Sequence, residues 1–270
     1  MKNKFVSYQK EIEIAIESAK KAGEILMKYF NEKNFSIKYK SKSGKGSPVT
    51  DADIKSNEII KETLLSNFPD DGWLSEETVD DKTRFSKERL WIVDPLDGTN
   101  DFIKGIPEFS ISIALVEDKT PVVGVVYNPV ADELYYAVRG EGSYLNDQRI
   151  KPSFKTLMKE ASLTISAKEF EKVDKAKLLA GNFSSVKFRE SIAYKIVSVA
   201  SGWADAVVSF FDKSEWDLAG AQVIAEEYGL KMTDILGEKI IYNEEDVKRR
   251  GVLVANDFLH DEILRTLELF

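Results

Sequence analysis

The stretch DPLDGTND, Asp94 to Asp101, sets three carboxylates, a proline and a glycine within eight residues. Asp94 and Asp97 stand three apart, and like charges that close repel one another. Either both are solvated turn residues, or they share a cation. The run that leads into them, LWIVD (90–94), reads as a short buried strand ending on an aspartate. Pro95 breaks that strand and fixes the direction of the chain. The carbonyl of Leu96 can then face the same way as the two carboxylates and offer a third oxygen. Gly98 permits a tight turn and the close approach of a ligand. If Thr99 and Asn100 begin a helical turn, the amides of Gly98 to Asn100 form a concavity for an anion. The spacing is not that of a calcium loop, because the glycine comes one position early and Leu96 holds the third position.

Outward from this stretch the chain reads as alternating sheet and helix. FSISIALV (109–116), PVVGVVY (121–127), ELYYAV (133–138) and SYLNDQRI (143–150) are strand candidates joined by tight turns. ASLTIS (161–166), ADAVVSFF (204–211), GLKMTD and GVLVAND add further strands. Ile12, Ala15, Ala19, Ala22, Leu26 and Tyr29 recur at helical spacing. Thr50-Asp51-Ala52-Asp53 caps a second helix with Ile54, Ile59, Ile60, Leu64 and Phe68 behind it. Residues 191–202, 217–228 and a C-terminal segment read as helices. The pattern predicts an α+β fold of stacked sheets and helices. One domain is expected over residues 1–270, or two intimate subdomains at about 1–150 and 151–270. The lysine-rich segment KYKSKSGKGSPVT is a loop, either solvated or a lid over an anionic site.

Composition narrows the function. The 43% hydrophobic and 31% charged fractions are those of a soluble globular chain. No apolar run is long enough to span a bilayer, so no membrane partner is expected. The charged N-terminus lacks the apolar core of a secretory leader. The absence of cysteine excludes disulfides, zinc–thiolate sites and thiol nucleophiles. A cytoplasmic home follows as the expectation. The net charge of −8, without a basic stripe, argues against a nucleic acid polymer as partner. His260 is the one histidine, so a Ser-His-Asp triad or a multi-histidine metal site is not expected.

The remaining chemistry is acidic. Asp53 opens a helix, Glu76 follows Gly72-Trp73-Leu74, Asp94 and Asp97 close a strand, and Asp217 follows Trp216 at a helix start. Carboxylates beside such apolar neighbours are partly buried, and an unpartnered buried charge is costly. A hard divalent cation with oxygen ligands resolves this, and magnesium suits such a set. Turn and cap chemistry explains each piece equally well when it is taken alone.

Four stretches together resemble one known family. WIVDPLDGTNDF (91–102) is similar to the signature of the inositol monophosphatase superfamily of magnesium-dependent, lithium-sensitive phosphatases. WLSEET (73–78), VTDAD (49–53) and EWDLAGA (215–221) resemble its other motifs, in the family's order. The resemblance implies a layered αβαβα sandwich, often a homodimer. It implies that Glu76, Asp94, Asp97, Asp217 and the Leu96 carbonyl hold two or three magnesium ions. Glu76, Thr99 and Asp53 would activate a metal-bound water for in-line attack on a phosphate ester. Gly98, Thr99, Asn100, Ser191, Lys195 and Asp217 are the expected substrate contacts.

The ester is the open question. Inositol phosphatases of the family usually carry a glutamate about seven residues before the Trp-Asp aspartate, and here that place is Ser209 or Phe210. Lys195 instead resembles the 3′(2′),5′-bisphosphate nucleotidase branch, since a second phosphate wants a second cation. Asn100-Asp101 departs from that branch, which commonly has a basic residue followed by glutamate there. Adenosine 3′,5′-bisphosphate is the favoured substrate, with inositol-1-phosphate as the alternative and fructose 1,6-bisphosphate or NADP phosphate behind them. A non-catalytic binding protein on the same fold is the alternative from another class.

Overall fold

The computed structural model describes residues 8–40, 46–150 and 154–269. Residues 41–45 of the lysine-rich segment lie outside them, and so does the reading of that segment as a lid. The helix α1 (Gln9–Glu32) buries Ile12, Ala15, Ala19, Ala22 and Leu26 along one face. Two short antiparallel strands, β1 (Ile37–Tyr39) and β2 (Pro48–Thr50), flank that segment and lead into α2 (Asp51–Asn67). The chain continues through β3 (Gly72–Ser75), β4 (Arg89–Asp97), α3 (Thr99–Lys104), β5 (Ser110–Glu117), β6 (Thr120–Asn128), β7 (Glu133–Val138), β8 (Gly142–Leu145) and β9 (Gln148–Arg149). Strands β3 to β9 form a seven-stranded sheet in chain order, antiparallel except for the β3–β4 pair.

The second half runs β10 (Ser162–Ile165), α4 (Ala167–Lys172), α5 (Asp174–Ala180), β11 (Ser185–Phe188), α6 (Ile192–Ala200), β12 (Ala206–Ser209), β13 (Lys213–Ser214) and α7 (Glu215–Tyr228). It ends with β14 (Lys231–Thr233), β15 (Lys248–Arg249), β16 (Val252–Ala255) and α8 (Asp257–Glu268). A five-stranded mixed sheet has the order β11-β10-β12-β16-β14.

Alternation of side chains across the strands produces the layers. Along β4, Trp91 and Val93 pack with α1 and α2, while Leu90 and Ile92 pack with α6 and α7. Both faces of this sheet are therefore buried, and its strands are apolar nearly throughout. A third core lies between the five-stranded sheet and α5 and α8. The layers read α1/α2, sheet, α6/α7, sheet, α5/α8, which is the αβαβα sandwich that the motifs implied.

Three local readings change. Pro95 does not end its strand: β4 runs on to Asp97 through a bulge between the Asp94–Ser112 and Asp97–Ser110 pairs. A bulge has no ladder hydrogen bond for the missing proline N–H to break. SYLNDQRI is not one strand, because Asn146 and Asp147 take left-handed conformations and turn β8 back into β9. Residues 167–188 form α4, α5 and β11, which hydrophobic periodicity did not reveal. His260 is buried, with Nε2 2.8 Å from Thr233 Oγ1, and burial pushes its pKa down to about 4. That is a structural role.

Helix α7 meets the sheet backbone to backbone. A Cβ at Gly124 of β6 would stand 2.2 Å from the Gly220 carbonyl oxygen, and one at Gly220 would stand 2.7 Å from Ser112 Oγ. Gly124→Ala is therefore expected to destabilise the fold by roughly 2–4 kcal/mol through overpacking. Gly140→Ala, at φ +85 with nothing within 4 Å, should lose only about 1 kcal/mol to backbone strain. Urea unfolding of the two variants measures the difference, and equal losses would show that this crossing is not a tight contact.

Candidate active site

Helix starts and one strand end deliver the acidic side chains. Thr50 caps α2, and Asp53 Oδ2 accepts hydrogen bonds from Thr50 N at 2.8 Å and Thr50 Oγ1 at 2.6 Å. That leaves Asp53 Oδ1 to accept the Thr99 hydroxyl at 3.0 Å. Thr99 Oγ1 also lies 3.2 Å from the Leu96 carbonyl oxygen. Within the β4 bulge, Asp94 accepts from Leu96 N at 3.0 Å. Asp97 Oδ2 accepts from Ser191 Oγ at 2.6 Å and from Ala193 N at 2.7 Å, at the start of α6. Asp217 is the third residue of α7 rather than its first, and its Oδ2 accepts from Ser214 N at 2.6 Å.

The result is a concentration of like charge. Carboxylate oxygens of Asp94, Asp97 and Asp217 lie within 4.8 Å of one another. They line a cleft of about 330 Å³ together with Glu76, Leu96, Gly98, Thr99 and Asn100. Burial, then repulsion from Glu76, Asp97 and Asp217, holds the Asp94 carboxyl well above the usual carboxylate range. Burial pushes Asp97 up to about 6, opposed by its bonds from Ser191 and Ala193. Burial and the charges of Asp97 and Glu76 push Asp217 up to about 7. Oxygen-only donors, two of them buried and one half-buried, mutually repelling, fit a hard divalent cation such as magnesium.

Not every expected residue meets this centre. Glu76 lines the cleft, but its Oε1 accepts the Lys40 ammonium at 2.7 Å, and Lys40 also reaches Glu77 at 2.8 Å. Ser191 and Lys195 lie elsewhere than the cleft lining, and both are fully buried. Ser191 caps α6 and braces Asp97, and burial pushes Lys195 down to about 8. Missed altogether were Lys213, Ser214 and Lys248 on the cleft wall and the buried Glu169 behind it. The two lysines sit on strands of two residues each, too short to show periodicity.

Fold and site thus define a layered αβαβα protein with a carboxylate centre suited to a divalent metal. The chain belongs to the inositol monophosphatase family, whose model matches residues 7–269. It is 33% identical to inositol monophosphatase 3 of Solanum lycopersicum, with 97% of each chain covered. It is 28% identical to a fructose-1,6-bisphosphatase/inositol-1-monophosphatase of Thermotoga maritima, over 95% of each chain. Among solved structures, extragenic suppressor protein suhB from Bartonella henselae superposes with a TM-score of 0.84 at 27% identity, covering 96% of this chain and 99% of that one. The 2′AMP-bound SaIMPase-II structure gives a TM-score of 0.80 at 29% identity, over 93% and 91%. The protein is accordingly a phosphatase, a hydrolase of phosphate esters. Among the described residues, no helix is long and apolar enough to cross a membrane.

The raised carboxyls have a consequence for metal-free protein. Between the unfolded value of 3.8 and the folded values of about 6 and 7, the folded state binds more protons than the unfolded one. Stability should then fall as pH rises through that window. Asp94→Asn should raise the metal-free stability at pH 8 by roughly 1–3 kcal/mol, because it removes one of the repelling charges. Thermal unfolding in chelator against pH checks both, and a flat profile would contradict the crowding of charge.

Proposed function

We propose that this phosphatase is a magnesium-dependent phosphomonoesterase for a small soluble ester. The observation that carries the reading is the Asp94–Asp97–Asp217 group in one cleft with Thr99, whose hydroxyl donates to Asp53. Asp94, Asp97, Asp217 and the Leu96 carbonyl would hold two or three magnesium ions, joined by Glu76 when Lys40 gives it up. When bound, the metal supplies charge stabilisation to the attacking and leaving oxygens. Thr99 and Asp53 form the proton path: Thr99 Oγ1 would accept a proton from the attacking water as its own proton passes along the hydrogen bond to Asp53 Oδ1. The amides of Gly98, Thr99 and Asn100 border the same cleft and face an incoming phosphate group. Asp217 contacts both metal and ester in this reading. A cytoplasmic site of action and a homodimer belong to it as well.

Two esters remain in view. The relatives named as inositol monophosphatases support inositol-1-phosphate. Adenosine 3′,5′-bisphosphate loses Lys195 as its support, since that ammonium is buried away from the cleft. It gains other cations on the cleft wall, Lys213 and Lys248.

The test is phosphate release from both esters with and without magnesium. Wild type should require the metal. Thr99→Ala and Asp53→Asn should each lower kcat by about 10²–10⁴ with little change in KM, as loss of a proton path does. Full activity in Asp94→Asn, or hydrolysis indifferent to chelator, would refute the reading.

A further inference from the structure

The cleft lining carries, with Thr99 and Asn100, two lysines, Lys213 and Lys248, that the family motifs did not point to. They stand on the two-stranded ladder of β13 and β15, where Ser214 pairs with Lys248 and Lys213 with Arg249. The ladder is anchored from behind. Arg249 forms an ion pair with the fully buried Glu215, which also accepts the amides of Asn243 at 2.9 Å and Glu244 at 3.0 Å.

A second buried carboxylate determines the sign of charge on this wall. Glu169, 1% exposed, comes from α4 and reaches the end of β12. Its Oε1 accepts Ser209 Oγ at 2.6 Å and the amides of Phe210 and Phe211, each at 2.9 Å, and its Oε2 accepts Ser166 Oγ at 2.9 Å. An acid therefore does reach Ser209 and Phe210, where the local sequence lacks one, but it is engaged by these donors and does not line the cleft. Lys213 Nζ lies 3.9 Å from that same Oε1, beyond hydrogen-bond distance. Lys248 Nζ donates to Ser214 Oγ at 2.7 Å, which uses one of its three protons. Two acids share the wall, Asp212 and Glu190. Glu190 is engaged by the Ala167 amide at 2.9 Å, and Asp212 is exposed, where solvent screens it.

We propose that Lys213 and Lys248 form a receptor for a second anionic group of the substrate, so that the site selects esters carrying two such groups. This rests on the phosphatase reading, and it replaces the neutral-polyol subsite of an inositol phosphatase with a cationic one. The spacing suits it: Lys248 is linked through Ser214 to Asp217, so the receptor begins one residue from the carboxylate centre.

The experiment compares kcat/KM with magnesium for two matched pairs: adenosine 3′,5′-bisphosphate against adenosine 3′-monophosphate, and fructose 1,6-bisphosphate against fructose 1-phosphate. Wild type should prefer the doubly anionic member of at least one pair, and that pair identifies the scaffold. Lys213→Met and Lys248→Met should each cut that preference about 10–100-fold, mostly through KM, as loss of a charge-assisted hydrogen bond does. Lys213→Arg should keep it, which excludes a merely structural effect. No preference in either pair, or a preference that survives both Met variants, overturns the proposal. Inositol-1-phosphate is the control for the reaction itself: hydrolysis of it and of none of the four overturns the proposal and leaves the phosphatase reading standing, whereas hydrolysis of none of the five fails that reading instead. Calorimetric binding of adenosine 3′,5′-bisphosphate and fructose 1,6-bisphosphate to wild type and the Met variants then decides the receptor: loss of binding in the variants supports it, and equal binding or none overturns it.

Discussion

Three carboxylates held within 4.8 Å of one another, in a setting that disfavours their charge, are the constraint around which this molecule is organised. Left to themselves they would separate or take up protons. The fold prevents the first by drawing them from two rigid elements: the β4 bulge supplies Asp94 and Asp97, and α7 supplies Asp217. Each is also tied by a donor from a neighbouring turn, Leu96 N, Ser191 Oγ or Ser214 N. The repulsion is thereby stored for a cation to relieve. Such a site trades stability for chemistry, and the donors around it limit the loss.

That arrangement depends on how closely α7 lies on the sheet. Gly220 is one helical turn beyond Asp217, and it touches β5 and β6 where any side chain would collide. The same crossing sets the height of Asp217 above the end of β4. The bulge acts in the sheet as the glycines act between layers. An unbulged strand would point Asp94 and Asp97 to opposite faces, because they are three residues apart. The extra residue re-aims one of them, so Pro95 marks a change of side-chain direction rather than the end of a strand.

Much of this was legible in the sequence where the physics is local. The strands at β5 and β6, the Thr50–Asp53 cap and the octapeptide itself are short-range patterns, and the structure has them at those residues. What escaped depends on which way a side chain turns. Lys195 has the chemistry of a phosphate ligand, but in α6 every residue is buried, so helical spacing could not tell a cleft-facing lysine from a core one. Lys213 and Lys248 stand on strands too short to carry a period, and only the fold brings them side by side. The Lys40–Glu76 pair joins a strand margin to a loop across 36 positions of chain.

Glu169 shows why the absence of an acid in a linear motif is weak evidence about a site. Its carboxylate reaches Ser209 from 40 residues upstream and supplies negative charge at a position where the local sequence has none. Had it faced the cleft, it would have done the work of the missing glutamate, and the neutral-polyol reading would stand. Its Oε1 instead ties the end of β12 through the amides of Phe210 and Phe211 and the Ser209 hydroxyl, while its Oε2 accepts Ser166 Oγ. Lys213 is paired with it at 3.9 Å, beyond hydrogen-bond distance. A carboxylate already engaged by amide and hydroxyl donors can anchor a lysine's position without a direct hydrogen bond to it. The sign of charge that a substrate meets on this wall is therefore set by the hydrogen-bond valence of a residue it never touches.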